Sequence, residues 1–188
     1  MSQKKASIFE FMKSADTGSQ TFVKVNDGET VQLRILSKPV TGWEVFADGK
    51  PHRWCEGQEK PDNVPDTDET PRPFVAFVVF QYTEPAAVKV WQFSQKTVMK
   101  SMEMLFQGGQ LHWSTFIINL NRKGTKMDTQ WTLNGTQVPI EDNLISFATQ
   151  ADKYVDLNAL FLGDSPIIQP LPSISVDVKT PEAGDLPF

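Results

Sequence analysis

One cysteine, Cys55, stands in 188 residues, and a lone thiol can form neither an internal disulfide nor the multi-thiolate set of a structural zinc site. Its expected place is that of a half-buried small side chain. Histidine is nearly as scarce. His52 and His112 lie far apart in sequence, and each reads as a surface or hydrogen-bonded residue before it reads as a ligand or a base. No Gly-rich phosphate loop, HExxH or G-x-S-x-G pattern occurs. The acidic run from Glu56 to Glu69 lacks the alternating oxygen ligands and fixed glycine of a calcium loop, so a solvated loop is the better reading. No cofactor, metal or catalytic residue is therefore expected. An enzyme built on His52, His112 and a metal held by the acidic loop is the most remote of the open readings. Long apolar runs are missing as well: nothing approaches the roughly 20 residues of a membrane helix. The opening MSQKKASIF carries charge but no apolar export region, and the expectation is a cytoplasmic protein.

A net charge of −5 argues against a polyanionic partner until its distribution is considered. Residues 1–140 hold 16 Lys/Arg against 15 Asp/Glu, whereas residues 141–188 hold 2 against 8. Within the first part, six carboxylates between Glu56 and Glu69 face Lys60 alone. The body is mildly basic, with two acidic excursions.

That body reads as strands separated by Gly-centred turns, which predicts a mainly β domain. TFVKV at 21–25 and Val31, Leu33 and Ile35 flank Asp27-Gly28 as a first hairpin. WEVFADGKPHRW places Asp48-Gly49 at a two-residue type I′ turn, which sets Trp43 opposite Trp54 and Val45 opposite His52. Alternation then puts Trp43, Val45, Lys50, His52 and Trp54 on one face. Residues 56–73 are acidic and proline-rich and predict a long flexible loop. FVAFVVFQY at 74–82 is a strand buried on both faces or central in a sheet. In AVKVWQF, Lys89, Trp91 and Phe93 share a face, an unusual combination.

Helical spacing begins at Ser94 and ends at Gly108-Gly109, with Val98, Met102, Leu105 and Phe106 on one side and the methionines read as core filler. A closing hairpin follows, with Arg122, Lys123 and Lys126 around Gly124 at its tip and a last turn at Asn134-Gly135. Short helices are expected within 141–162. The predicted organisation is an N-terminal arm over 1–19, a domain over 20–163 and a flexible tail over 164–188. Strand count and the inserted helix suit an OB-fold barrel with elaborated loops, although another β-sandwich also fits.

Single-stranded nucleic acid is bound without sequence preference by flat side chains on which bases stack and by cations along the backbone path. Trp43, Trp54, Trp91, Trp113 and Trp131 are candidate stacking platforms together with Phe93, and core anchors are the competing reading. Arg34, Lys50, Arg53, Lys89, Arg122, Lys123 and Lys126 are candidate phosphate contacts, or ordinary surface charges. The chain closes on Asp185-Leu186-Pro187-Phe188, an apolar plug beside a free carboxylate, suited to a partner pocket with an apolar floor and a basic rim. The same tail could instead fold back on a cationic groove of its own chain.

GDLPF resembles the acidic tip of bacterial single-strand binding proteins, which ends in Asp-Ile-Pro-Phe and recruits replication and repair enzymes. DGETVQLRIL, KVWQFSQKTVMKSMEML and INLNRKGTKMDTQWTL resemble stretches of phage OB-fold proteins distantly similar to the T-even helix-destabilising protein, over roughly residues 20–135. The T-even type carries a zinc-binding subdomain, which one cysteine cannot supply, and the acidic loop stands in its place. The tail is less acidic than the bacterial one, with Asp177, Glu182 and Asp185 near its end. The resemblance implies a non-enzymatic protein that coats single-stranded DNA during phage replication, recombination or repair. The alternative is a β-rich interaction or phage-assembly module without DNA binding. Self-association stays open.

Overall fold

The computed structural model describes residues 21–106, 113–125 and 128–176. Outside them lie the predicted N-terminal arm, His112, Lys126 and the terminal Asp185, Leu186, Pro187 and Phe188, and nothing of the Trp113 side chain is described. Seven strands form one antiparallel sheet: β1 (Thr30–Ile35), β2 (Val40–Ala47), β3 (Lys50–Cys55), β4 (Arg72–Gln81), β5 (Ala87–Phe93), β6 (Phe116–Lys123) and β7 (Gln130–Gln137). Helices α1 (Lys96–Phe106), α2 (Asp142–Ala148) and α3 (Ala159–Leu162) complete the described elements with short 3₁₀ turns. The order is β3-β2-β4-β1-β6-β7, with β5 pairing β4 along its other edge. β3 and β7 stand at opposite ends, so the sheet does not close into a barrel.

β4 organises the molecule because its nearly continuous apolar run supplies two faces. Phe74, Ala76, Val78, Phe80 and Tyr82 enter one core, where Leu144, Phe147, Val155 and Leu160 cover them. Phe77 and Val79 enter the other core with Val31, Leu33, Ile35, Ile118 and Leu120, beneath Val98 and Met102 of α1. The β2–β3 hairpin has the register expected from its turn, Trp43 opposite Trp54 and Ala47 opposite Lys50. Asp48 and Gly49 both have positive φ, 52° and 72°, as a type I′ turn requires.

Four expectations are corrected. Residues 21–25 do not form a hairpin with β1; Phe22 bridges Val90 in parallel, and the Val23 amide donates to the Val90 carbonyl at 2.9 Å. Asn134-Gly135 is no turn but lies inside β7, where the missing side chain makes room for Leu105 of α1: a Cβ there would come within 2.8 Å of it. The acidic loop is tied down at its centre, with Val64 6% exposed against Val45 and Trp54. The tail is not free from residue 164 onward. The Ile168 amide donates to the Tyr154 carbonyl at 2.9 Å, Val155 bridges Ile167, and Leu171, Ile174 and Val176 pack on the first core. Isolated aliphatics among prolines carry no periodicity, so this edging of the core is invisible to pattern reading.

Candidate nucleic-acid interface

Strand alternation assigns residues to faces, and packing decides which face meets solvent. On β5 both faces are covered. Trp91 and Phe93 are 3% and 6% exposed, and with Phe77 they form an aromatic group with centroids 4.5 to 6.4 Å apart. They are core residues and not stacking platforms. Lys89 on the same face is also buried, and that burial lowers its pKa, with Glu29 opposing the shift and Lys24 adding to it. With 8% of its surface exposed it is no open phosphate contact.

Arg34 is likewise no phosphate contact. It is fully buried, donating from Nε to the Tyr82 hydroxyl at 2.6 Å and from its terminal nitrogens to the carbonyls of Ser114, Val138 and Pro139 at 2.7 to 3.2 Å. Glu141 stands 3.5 Å away, and Tyr82 donates to the same carboxylate at 3.0 Å. Burial pushes the Tyr82 hydroxyl up to about 12.

The β2–β3 hairpin divides its candidates. Trp54 is buried under Val64, whereas Trp43, its cross-strand partner, keeps 38% of its surface exposed. His52 is half-buried, and its Nε2 is enclosed without a hydrogen-bond partner among the described residues. On the opposite face Arg53 is held by Glu44, with Nη2–Oε2 at 2.6 Å, and its guanidinium lies 4.3 Å from the Phe74 ring centroid. That charge is already compensated. Lys50, beside the turn, is exposed. Gly42 lets the hairpin close on α3, since a Cβ there would fall 2.2 Å from the Trp54 carbonyl oxygen and 2.7 Å from Phe161.

At the far end of the sheet Arg122 and Trp131 are cross-strand partners, with the guanidinium carbon 5.8 Å from the ring centroid. Both are half-buried, and Arg122 also donates to the Val25 carbonyl at 3.1 Å. Lys123, next along the strand, is exposed. Gly124 turns the chain there with φ of 88°, its amide donating to Asp27 at 2.6 Å.

Two cations escaped sequence reasoning. Arg72 and Lys96 are exposed and line one opening of about 510 Å³ with Glu69, Ser94 and Gln95. Arg72 opens β4 opposite Glu44 and directly before Pro73, the cross-strand partner of Trp43, so it stands at the same end of β2 as the exposed indole but on the face of Glu44 and Arg53. The signal was present in the hairpin logic, because both residues begin elements at the same end of the β4–β5 pair; the β2–β4 register was not readable.

The loop that covers Trp54 gives a direct test of this geometry. Val64→Asp is expected to cost at least about 1.5–3 kcal/mol of loop anchoring. Trp54 should then meet water, seen as a red shift in tryptophan emission, with early protease cleavage within residues 56–71. Emission and cleavage like those of the parent would mean that the loop is held by its hydrogen bonds alone, such as Lys60 with Asp66.

Searches of protein-family models, of curated proteins and of solved structures found no match to this chain.

Proposed function

We propose that the protein binds single-stranded DNA without sequence preference, acts without catalysis, and serves DNA replication or recombination. The observation that carries this reading is the exposed Trp43 indole on β2, with Lys50 on the same strand pair and with Lys96 and Arg72, the latter paired to Glu69 at 4.0 Å, at an opening at the start of β4. A flat ring for base stacking together with cations along the backbone path is what a sequence-tolerant single-strand site requires.

The pairing order supports an OB-like reading of the fold. β1 is shared between β4 and β6, β4–β5 and β6–β7 are hairpins, and α1 joins them. In that reading β2–β3 is an elaboration of the loop after the first barrel strand, and the Lys123–Gly124 tip is the loop between the last two. Those are the two loops by which OB-folds grip oligonucleotides. The terminal Asp185-Leu186-Pro187-Phe188 would recruit a replication protein.

Burial of Trp54, Trp91 and Phe93 favours a second reading, an interaction module whose aromatics serve only the core. A titration with an oligo(dT) of about thirty nucleotides separates them. The first reading expects quenching of tryptophan emission, and affinity whose logarithm falls with log salt by about 0.7 per phosphate neutralised. Trp43→Ala should remove most of the quenching and weaken binding roughly ten- to a hundredfold, the value of one stacked base. Unchanged emission and mobility at low salt would sink DNA binding and leave the interaction module.

A further inference from the structure

A sheet that does not close has edges, and edges with unpaired amides and carbonyls recruit other strands unless something blunts them. This sheet has three outer edges, and two are managed. Along β5, Phe22 bridges Val90 and the Val23 amide bonds its carbonyl. β3 carries Lys50, Pro51 and Arg53, and α3 packs against it.

β7 has α1 against its core-facing side, where Leu105 meets Gly135, but no described segment bridges its outer edge. Its eight residues, QWTLNGTQ, contain no charge and no proline in a chain of which 22% is charged. It is the one described strand without a buried residue, and no described strand pairs with its outer edge. Trp131 and Leu133 lean toward the second core, whereas Thr132, Asn134 and Thr136 are exposed on the other face. That face continues as hydroxyls and amides across Asn119 and Asn121 of β6 to Thr30 and Gln32 of β1, joined by Gln32–Asn119 and Asn121–Thr30 hydrogen bonds at 3.0 and 2.9 Å.

From this we infer that β7 is a self-association edge, on which the β7 of a second copy of this chain adds antiparallel to make one continuous sheet. The occupant is a second copy because the row is self-complementary. A two-fold axis brings each residue against one of the same strand, so a charge on the axis, or charges of one sign along the row, would face like charge. An uncharged row of threonines and asparagine carries no such repulsion and can exchange hydrogen bonds with itself. Side-chain faces must match across an antiparallel pair, so the axis passes through a residue. Leu133 or Asn134 then meets its own twin, and Thr132 faces Asn134 or Thr136 of the second copy.

The test uses the full chain and two charge variants, Thr132→Lys/Asn134→Lys/Thr136→Lys and Thr132→Glu/Asn134→Glu/Thr136→Glu. All three positions are exposed, so the variants should keep the parent's circular dichroism. Light scattering after size exclusion should give twice the 21.1 kDa chain mass for the parent at about 100 μM, where a dimer with Kd near 1 μM is almost fully formed. Each variant alone should give the single-chain mass, and their equimolar mixture should regain the doubled mass whichever residue the axis passes through. A parent that stays at 21.1 kDa, or variants that dimerise as well as the parent, would overturn the assignment. DNA titration of the single-chain variants, read through Trp43 emission, follows the Trp43–Lys50 part of the proposed site separately, since those residues lie at the other end of the sheet, whereas the Lys123–Gly124 tip adjoins β7.

Discussion

Arg34→Ala is expected to lower the free energy of unfolding by about 3–5 kcal/mol, the usual cost of removing one partner from a buried ionic network. Four acceptors lose their donor together: the Tyr82 hydroxyl oxygen and the carbonyls of Ser114, Val138 and Pro139. Glu141 loses its cation at the same time. Urea titration followed by circular dichroism measures this, and a loss under about 1 kcal/mol would mean that water replaces the guanidinium freely. Arg34→Lys should recover only part, because one ammonium cannot reach acceptors on both sides of a planar fork.

The same network sets the alkaline limit. Tyr82 holds its proton up to about 12 when folded, against an ordinary value near 10, so the unfolded chain releases that proton first. Stability from this group is intact below about pH 10 and is lost as pH rises through about 12. A Tyr82→Phe variant should show a shallower loss of stability over that window.

Trp91→Ala should cost about 3–5 kcal/mol, as a large aromatic removed from a filled core does. Trp91 contacts both Phe77 and Phe93, and the cavity would open in the middle of the second core. Trp91→Phe should keep the fold, and its affinity for oligo(dT) should equal the parent's, in contrast to Trp43→Ala. If Trp91→Phe instead weakened DNA binding tenfold while unfolding like the parent, the ring would have a role at the surface that its burial denies.

These two residues show where sequence reading stops. The type I′ turn at Asp48-Gly49 fixed the β2–β3 register, and local rules were enough because the partners are adjacent in the chain. The length of the apolar run in β4 correctly implied cover on both faces. Periodicity placed Lys89, Trp91 and Phe93 together on β5 but could not say that α1 and the segment around Val25 close over that face. Arg34 read as a surface cation because its acceptors lie 48 to 105 residues away, and no short-range pattern reports such partners. Arg72 and Lys96 had a local signal, since the β4–β5 hairpin brings 69–72 and 94–96 together; only their relation to Trp43 needed the β2–β4 register. Of the proposed stacking residues, Trp43 and Trp54 were legible in register but not in exposure, since the cover that Val64 gives Trp54 and not Trp43 comes from a loop without periodicity.

The C-terminal packing has a consequence for how the chain is made. Phe74, Ala76, Val78 and Phe80 belong to the middle of the sequence, but their cover comes from residues 144–176, synthesised after every strand of the sheet. During translation the sheet can pair early, while one greasy side waits for a further hundred residues, at roughly 5–20 residues per second. For those seconds the nascent chain exposes the surface most prone to sticking, and a message cut short after Gly163 would leave Ile167, Leu171 and Ile174 missing from its rim for good. Residues 164–176 complete the cover of the first core among the described residues, and the chain's vulnerability to chaperone capture should fall only when they clear the ribosome.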